Sequence, residues 1–147
     1  MVKDFIQRAI EPLAQECTWL EQDRILKTAH VQHLYNQASV RLKRFCGDGE
    51  VVRALHPTPA VAGSPRDTAL QLIDASEPFQ RGWYAGSIGW ISPEESHLTV
   101  AIRSGLICGD ALHLFAGAGI IAQSIAEKEW EEIEHKMRIL IDGCGIP

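Results

Sequence analysis

Glu129, Glu132 and Lys136 are spaced by three and four residues in "KEWEEIEHK" near the end of the chain. At about 100° per residue in a helix, that spacing sets them in one stripe. An apolar stripe of Trp130, Ile133, Met137 and Ile141 runs beside it, and Lys128, Glu131 and His135 point elsewhere. Such a stripe admits two readings. Glu132 and Lys136 could simply pair at i,i+4 on a solvated face. Alternatively, the carboxylates could hold a hard cation such as Mg²⁺, which takes oxygen donors and keeps waters. The ammonium would then face an anionic ligand.

"FAGAGIIA" (115–122) lies just upstream and reads G-x-G-x-x-A through Gly117, Gly119 and Ala122. A dinucleotide site needs a parallel βαβ unit, with an acidic residue about 20 positions beyond the loop. Only 28 residues follow Gly119, and most carry a helical pattern. No second strand is available, so the nucleotide reading fails. The glycines still expose backbone N–H groups, which suit a carboxylate as well as a phosphate.

Arg103, in "TVAIRSG", stands in an apolar run. Alternation puts Val100 and Ile102 on one strand face and Ala101 and Arg103 on the other. An arginine there faces solvent at an edge or pairs with an acid, and its fork matches a carboxylate. "HVQH" sets His30 and His33 at a spacing unsuited to one strand face, which argues against a zinc pair. His33 is either structural or a ligand-facing group, and His56, before Pro57, is read as structural. Cys17, Cys46, Cys108 and Cys144 form no C-x-x-C pair and are expected to be reduced and mostly buried.

These groups need elements to position them. Val2, Phe5, Ile6, Ala9, Ile10 and Leu13 predict an amphipathic opening helix that Pro12 ends. "AHVQHLY" (29–35) and "ASVRLKRF" (38–45) read as strands, and "DGEVVRAL" as a short helix. Residues 55–65 read as a Pro/Gly-rich loop. Ser64 as N-cap and Pro65 at the first helical position predict a helix behind them. Three strand-like runs follow, "RGWYAGSIGWIS", "LTVAIRSGLIC" and "ALHLFAGAG", with connections short enough for antiparallel neighbours. A helix over 127–141 closes the chain. The fold class expected is therefore α+β, with antiparallel sheets flanked by helices. At 147 residues and 46% apolar, the chain fits one domain, 1–147. A net charge of −5 and no basic tract argue against nucleic-acid binding. No apolar stretch is long enough to span a bilayer, and no signal-peptide pattern follows Met1, so a cytoplasmic location is expected.

Five ordered stretches, "LHPTPAVAGSPR", "EPFQRGWYAGSIGW", "VAIRSG", "LFAGAGI" and "EWEEIEHK", together resemble the C-terminal part of the chorismate-binding enzymes. That family includes anthranilate, aminodeoxychorismate, salicylate and isochorismate synthases. "HPTPA" and "RGWYAG" look like its isochorismate synthases of quinone or siderophore routes, and "RGWYAG" leans toward the quinone branch. Ala62 and Ser87 depart from the residues common there, glycine and proline. The resemblance implies a layered α+β fold and chorismate as ligand. It implies that Tyr84 and Arg103 contact a carboxylate, and that Gly117, Ala118 and Gly119 offer backbone N–H groups to one. Lys136 would assist with charge, Ala60 would line the pocket and His33 would lie at the ring. Glu132 would bind Mg²⁺, with Glu129 nearby and acting through water. The family's general-base lysine, general-acid glutamate and first metal glutamate have no counterpart in these residues. Little activity is therefore expected of the chain alone, and pairing with an N-terminal half polypeptide, or self-association, is expected to cover exposed strands. The alternative is a non-catalytic remnant or subunit that binds a small dicarboxylate or a protein partner.

Overall fold

The computed structural model describes residues 1–27, 32–143 and 145. The chain divides into two compact units, Met1–Thr58 and Pro59–Pro147.

In the first unit, α1 (Val2–Ile10) ends as expected, in a 3₁₀ turn over Glu11–Leu13 that contains Pro12. It buries Ile10. Two long antiparallel strands follow, β1 (Ala14–Lys27) and β2 (Gln32–Leu42), in a register that pairs Trp19 with Ala38 and Leu26 with His33. The sequence reading assigned no strand to 14–27. Charged and polar residues at Glu16, Glu21, Asp23 and Arg24 hide the alternation, and the register shifts near them mark bulges that break period two. The two strands expected over 29–35 and 38–45 are one continuous β2. Residues 28–31, and so His30 and the start of the first expected strand, lie outside the described residues. Lys43 ties the hairpin back to the 3₁₀ turn, its amide donating to Leu13 O at 2.9 Å and its ammonium to Pro12 O at 2.6 Å. Next comes α2 (Asp48–Leu55), where the Glu50 carboxylate accepts from the Gly47 amide at 3.0 Å.

The second unit begins with α3 (Pro59–Ala62), a single turn inside the stretch read as loop, and α4 (Arg66–Ser76). Pro65 itself takes the N-cap position, so Ser64 is not the cap. Two antiparallel hairpins follow: β3 (Ser87–Ile91) with β4 (Ser96–Val100), and β5 (Ser104–Cys108) with β6 (Ala111–Phe115). The helix α5 spans Ala126–Gly143. The fold class is thus α+β as expected. Its described strands form three two-stranded antiparallel sheets; the first and third of the last three expected runs hold strands shorter than expected, and "LTVAIRSGLIC" is divided between β4 and β5.

Little of this surface is covered. Among the described residues only Ile10, Ala62 and Ala85 are buried hydrophobics. The chain exposes 11246 Å². A compact globule of its mass exposes about 7,500 Å², and two separate globules sharing that mass about 9,000 Å². Trp83 is 88% exposed, and Ile88, Trp90, Ile107 and Ile120 also face outward. The expectation of buried cysteines fails for the same reason. Cys17 and Cys108 are exposed, because their two-stranded sheets leave no interior for them, and Cys46, in the connection between β2 and α2, is half-buried. Cys144 lies outside the described residues.

Candidate carboxylate-binding site

The second unit gathers its distinctive groups around the turn at 81–86. Tyr84 N–H donates to Arg81 O at 2.9 Å and closes the turn. Ala85, at a φ of 61°, is buried and donates to Ala101 O, and Ala101 N–H returns a bond to Gly86 O, both at 2.8 Å. This pair staples the Tyr84 turn to the segment that carries Arg103. The sequence reading placed Arg103 inside a strand, and the structure corrects this. Residues 101–103 break the run between β4 and β5, and Arg103 sits in a bend at a φ of 50°. A left-handed backbone at a non-glycine residue is strained, and such positions concentrate at functional sites. Arg103 is half-buried, and among the described residues it has no hydrogen bond or ion pair.

The Tyr84 ring stacks on Phe115, with centroids 5.7 Å apart, and Phe79 packs on the other partner at 6.3 Å from Phe115. The Tyr84 hydroxyl points at the Gly-rich turn. A Cβ at Gly117 would lie 2.8 Å from it, so a larger residue there would displace the phenol. Among the described residues this hydroxyl has no hydrogen-bond partner. Burial pushes the Tyr84 phenol above its ordinary value, partly offset by the nearby Arg81 charge. It therefore stays a neutral donor through the neutral range. The sign of the linked stability follows. The folded state prefers the protonated phenol, so its contribution is complete below the unfolded value near 10 and is lost as pH rises through the higher folded value. Tyr84→Phe is expected to flatten the loss of stability above pH 10, as read by urea melts of both proteins across the alkaline range. Parallel curves would refute this.

Lys136 approaches the same turn from α5. Its ammonium donates to Gly117 O at 2.8 Å and meets Glu132 Oε1 at 2.5 Å. The i,i+4 pairing read from the sequence is thus present, and the same lysine also holds the Gly-rich turn. With its side chain 21% exposed, it keeps part of that bond from solvent competition. Lys136→Met is expected to cost about 1.5–3 kcal/mol, the usual worth of a hydrogen bond that involves a charged group. A thermal melt checks this, and an unchanged midpoint would count against the tie.

Glu129 lies three residues before Glu132 on α5 and is half-buried. The apolar stripe beside them is less buried than expected, with Trp130 64% exposed. No group of three or more His, Cys, Asp or Glu side chains converges as a metal site among the described residues. The stripe that holds Lys136 offers two of the carboxylates of α5, Glu129 and Glu132. Their hard oxygens suit Mg²⁺ completed by waters and ligand oxygens. Ala118 is half-buried and Gly119 exposed beside Gly117. Ala60 is exposed on α3. His33 belongs to the first unit, exposed on β2. Tyr84, Gly117, Lys136 and Glu132 are therefore brought together, and the Ala85–Ala101 pair tethers the Arg103 segment to the Tyr84 turn.

Glu77 and Arg81 escaped the sequence reading. They stand at i,i+4, but Pro78 intervenes and α4 ends before them, so helical spacing gave no reason to pair them. Arg81 nonetheless grips Glu77 with two bonds of 2.6 and 2.8 Å. The Glu77 carboxylate raises the Arg81 value above its ordinary one.

The sequence profile of the chorismate binding enzyme family matches residues 1–145. The isochorismate synthase MenF of Pasteurella multocida is 41% identical over 145 residues, 96% of this chain and 33% of that protein. MenF of Bacillus subtilis is 43% identical over 122 residues, 82% of this chain and 26% of that protein. The solved structure of the menaquinone-specific isochorismate synthase MenF from Escherichia coli superposes with a TM-score of 0.86 at 40% identity, over 95% of this chain and 32% of that one. The chain thus spans between about a quarter and a third of the length of these proteins. No helix among the described residues is long and apolar enough to cross a membrane.

Proposed function

This chain belongs to the chorismate-binding enzyme family, and from that premise we propose that it supplies the carboxylate-holding part of a Mg²⁺-dependent isochorismate synthase. The reaction adds water at ring C2 of chorismate while the C4 hydroxyl leaves and the ring double bond shifts. One proton is removed from the attacking water and one is delivered to the leaving hydroxyl. The observation that carries the reading is the Tyr84 hydroxyl facing Gly117, without a hydrogen-bond partner among the described residues, beside a Gly117 carbonyl held by Lys136.

In this reading Tyr84 donates to a ligand carboxylate and Arg103, unpaired among the described residues, supplies its fork to it. Amide groups of Gly117, Ala118 and Gly119 add uncharged donors. Lys136 keeps the turn in place and adds positive charge. Ala60 lines the ring. Glu132, with Glu129 through water, would hold Mg²⁺, which supplies charge stabilisation to the ligand when bound. No step of proton transfer is assigned to this chain. The base and the acid come from the portion of the family fold that it does not span. That portion also covers the exposed sheets, as a further polypeptide does in docking.

The relatives' shared name supports isochorismate as product. The exposed apolar surface favours a second reading, a non-catalytic subunit that binds a small dicarboxylate or a protein partner. One experiment separates the two. The purified chain is mixed with chorismate and Mg²⁺, with and without a polypeptide carrying the rest of the Pasteurella relative, and products are followed by chromatography. Isochorismate formed only with the added polypeptide is expected. Binding without turnover in both mixtures supports the second reading, and no binding at all refutes the first. Full turnover by the chain alone overturns the assignment of base and acid elsewhere.

A further inference from the structure

Arg81 has every arm of its guanidinium committed. Nε donates to Glu77 Oε2 at 2.8 Å and Nη2 to Glu77 Oε1 at 2.6 Å. Nη1 donates to Val61 O at 2.9 Å. The Arg81 and Glu77 side chains are 26% and 27% exposed, so the pair is shielded from much of the screening that weakens surface ion pairs. The guanidinium carbon lies 5.8 Å from the centre of the Tyr84 ring, within reach of a cation–π contact. Three of its five N–H groups are thereby committed to protein acceptors, one from each nitrogen. Its bonds join three segments: α3, through the residue after Ala60; the C-terminal end of α4, through Glu77; and the turn that carries Tyr84.

We propose that the Glu77–Arg81 pair is a positioning brace that fixes the Tyr84 hydroxyl against Gly117 and sets the Ala60 segment beside it. Arg81 acts through Tyr84 and touches no ligand. Without the brace the phenol is held on one side only, by Phe115, and it samples orientations that no longer face the Gly-rich turn. Arg81→Lys keeps the charge but loses the fork. Glu77→Gln keeps the shape but loses the charge-assisted pair.

The ligand-dependent arm rests on the reading of Tyr84 as a carboxylate contact, so the test has two independent arms. The chain contains two tyrosines, Tyr35 and Tyr84. Labelling with 3-fluorotyrosine therefore gives two ¹⁹F resonances, and Tyr35→Phe assigns them. In the ligand-free protein, Arg81→Lys and Glu77→Gln are expected to shift and broaden the Tyr84 resonance and leave that of Tyr35 in place. An unmoved Tyr84 resonance overturns the brace whether or not chorismate binds. In the second arm, chorismate affinity is measured by calorimetry in a double-mutant cycle. Arg81→Lys is expected to weaken binding about tenfold in the parent and less than about twofold beside Tyr84→Phe, the signature of a residue acting through another. Equal losses in both backgrounds overturn the brace. A parent that binds no chorismate refutes the functional reading and leaves the ¹⁹F arm to decide the brace.

Discussion

Arg103→Ala is expected to weaken chorismate binding by about one to two orders of magnitude while leaving the fold intact. The size follows from the bonds at stake. Hydrogen bonds to charged groups contribute about 1.5–3 kcal/mol, which is about 10- to 150-fold in affinity. Arg103 is half-buried and has no ion-pair partner among the described residues, so no acid among them competes for it. Removing it breaks no contact described in the structure. The backbone argument sharpens the test. At a φ of 50°, Arg103 holds a conformation that costs an L-residue about 1–2 kcal/mol. Arg103→Gly relieves that strain and is expected to raise the melting temperature while it abolishes the ligand contact, a trade of stability for function. Arg103→Lys retains the charge without the planar fork and should fall between. Calorimetric titration with chorismate, paired with thermal melts of the three variants, checks all of this. Unchanged affinity in Arg103→Ala would remove the residue from the site.

The site was partly legible because its signals are local. The spacing of Glu132 and Lys136 fixes a shared helix face, and α5 forms there. The glycines of "GAG" mark a place where backbone must be approached closely, and at Gly117 the approaching group is the Tyr84 hydroxyl. What the sequence hides is non-local. Arg103 sits among apolar residues that read as one strand, and nothing in "TVAIRSG" announces a left-handed backbone at arginine. The Ala85–Ala101 staple that produces the bend joins residues 16 positions apart. Glu77 and Arg81 pair across a proline, where helical periodicity says nothing. The strand β1 was missed because both its faces are largely exposed, so hydrophobic alternation, which records a one-sided sheet, had little to record. The cysteines fail by the same rule. Burial preferences describe a complete core, and Cys17 and Cys108 lie on strands that the described residues do not cover.

Gly89→Ala is expected to be the most destabilising single-methyl change in the second unit, at about 3 kcal/mol, near the upper range for overpacking. Gly89 faces Leu98 in the β3–β4 register. A Cβ there would overlap the carbonyl oxygen of His97 and lie 2.8 Å from its carbonyl carbon and 2.9 Å from Leu98 Cα. These are backbone atoms, so no rotamer change makes room and the strands themselves must part. The consequence reaches the site. β4 runs directly into Ala101, which holds Ala85 and Gly86 of the Tyr84 turn, and two residues later into Arg103. Prying β3 from β4 therefore loosens the tether between Tyr84 and Arg103. Gly109 supplies the control. It has a φ of 62° but nothing within 4 Å of an added Cβ, so Gly109→Ala should cost only the backbone term of about 1–2 kcal/mol. It sits at the far end of the β5–β6 hairpin and should leave chorismate affinity unchanged. Differential scanning calorimetry of the two variants reads the stability, and calorimetric titration reads the site. If Gly89→Ala melts with the parent, the strand approach seen at Gly89 is wrong. If it melts early yet binds chorismate with parental affinity below its transition, the hairpin does not hold the two ligand-facing segments together.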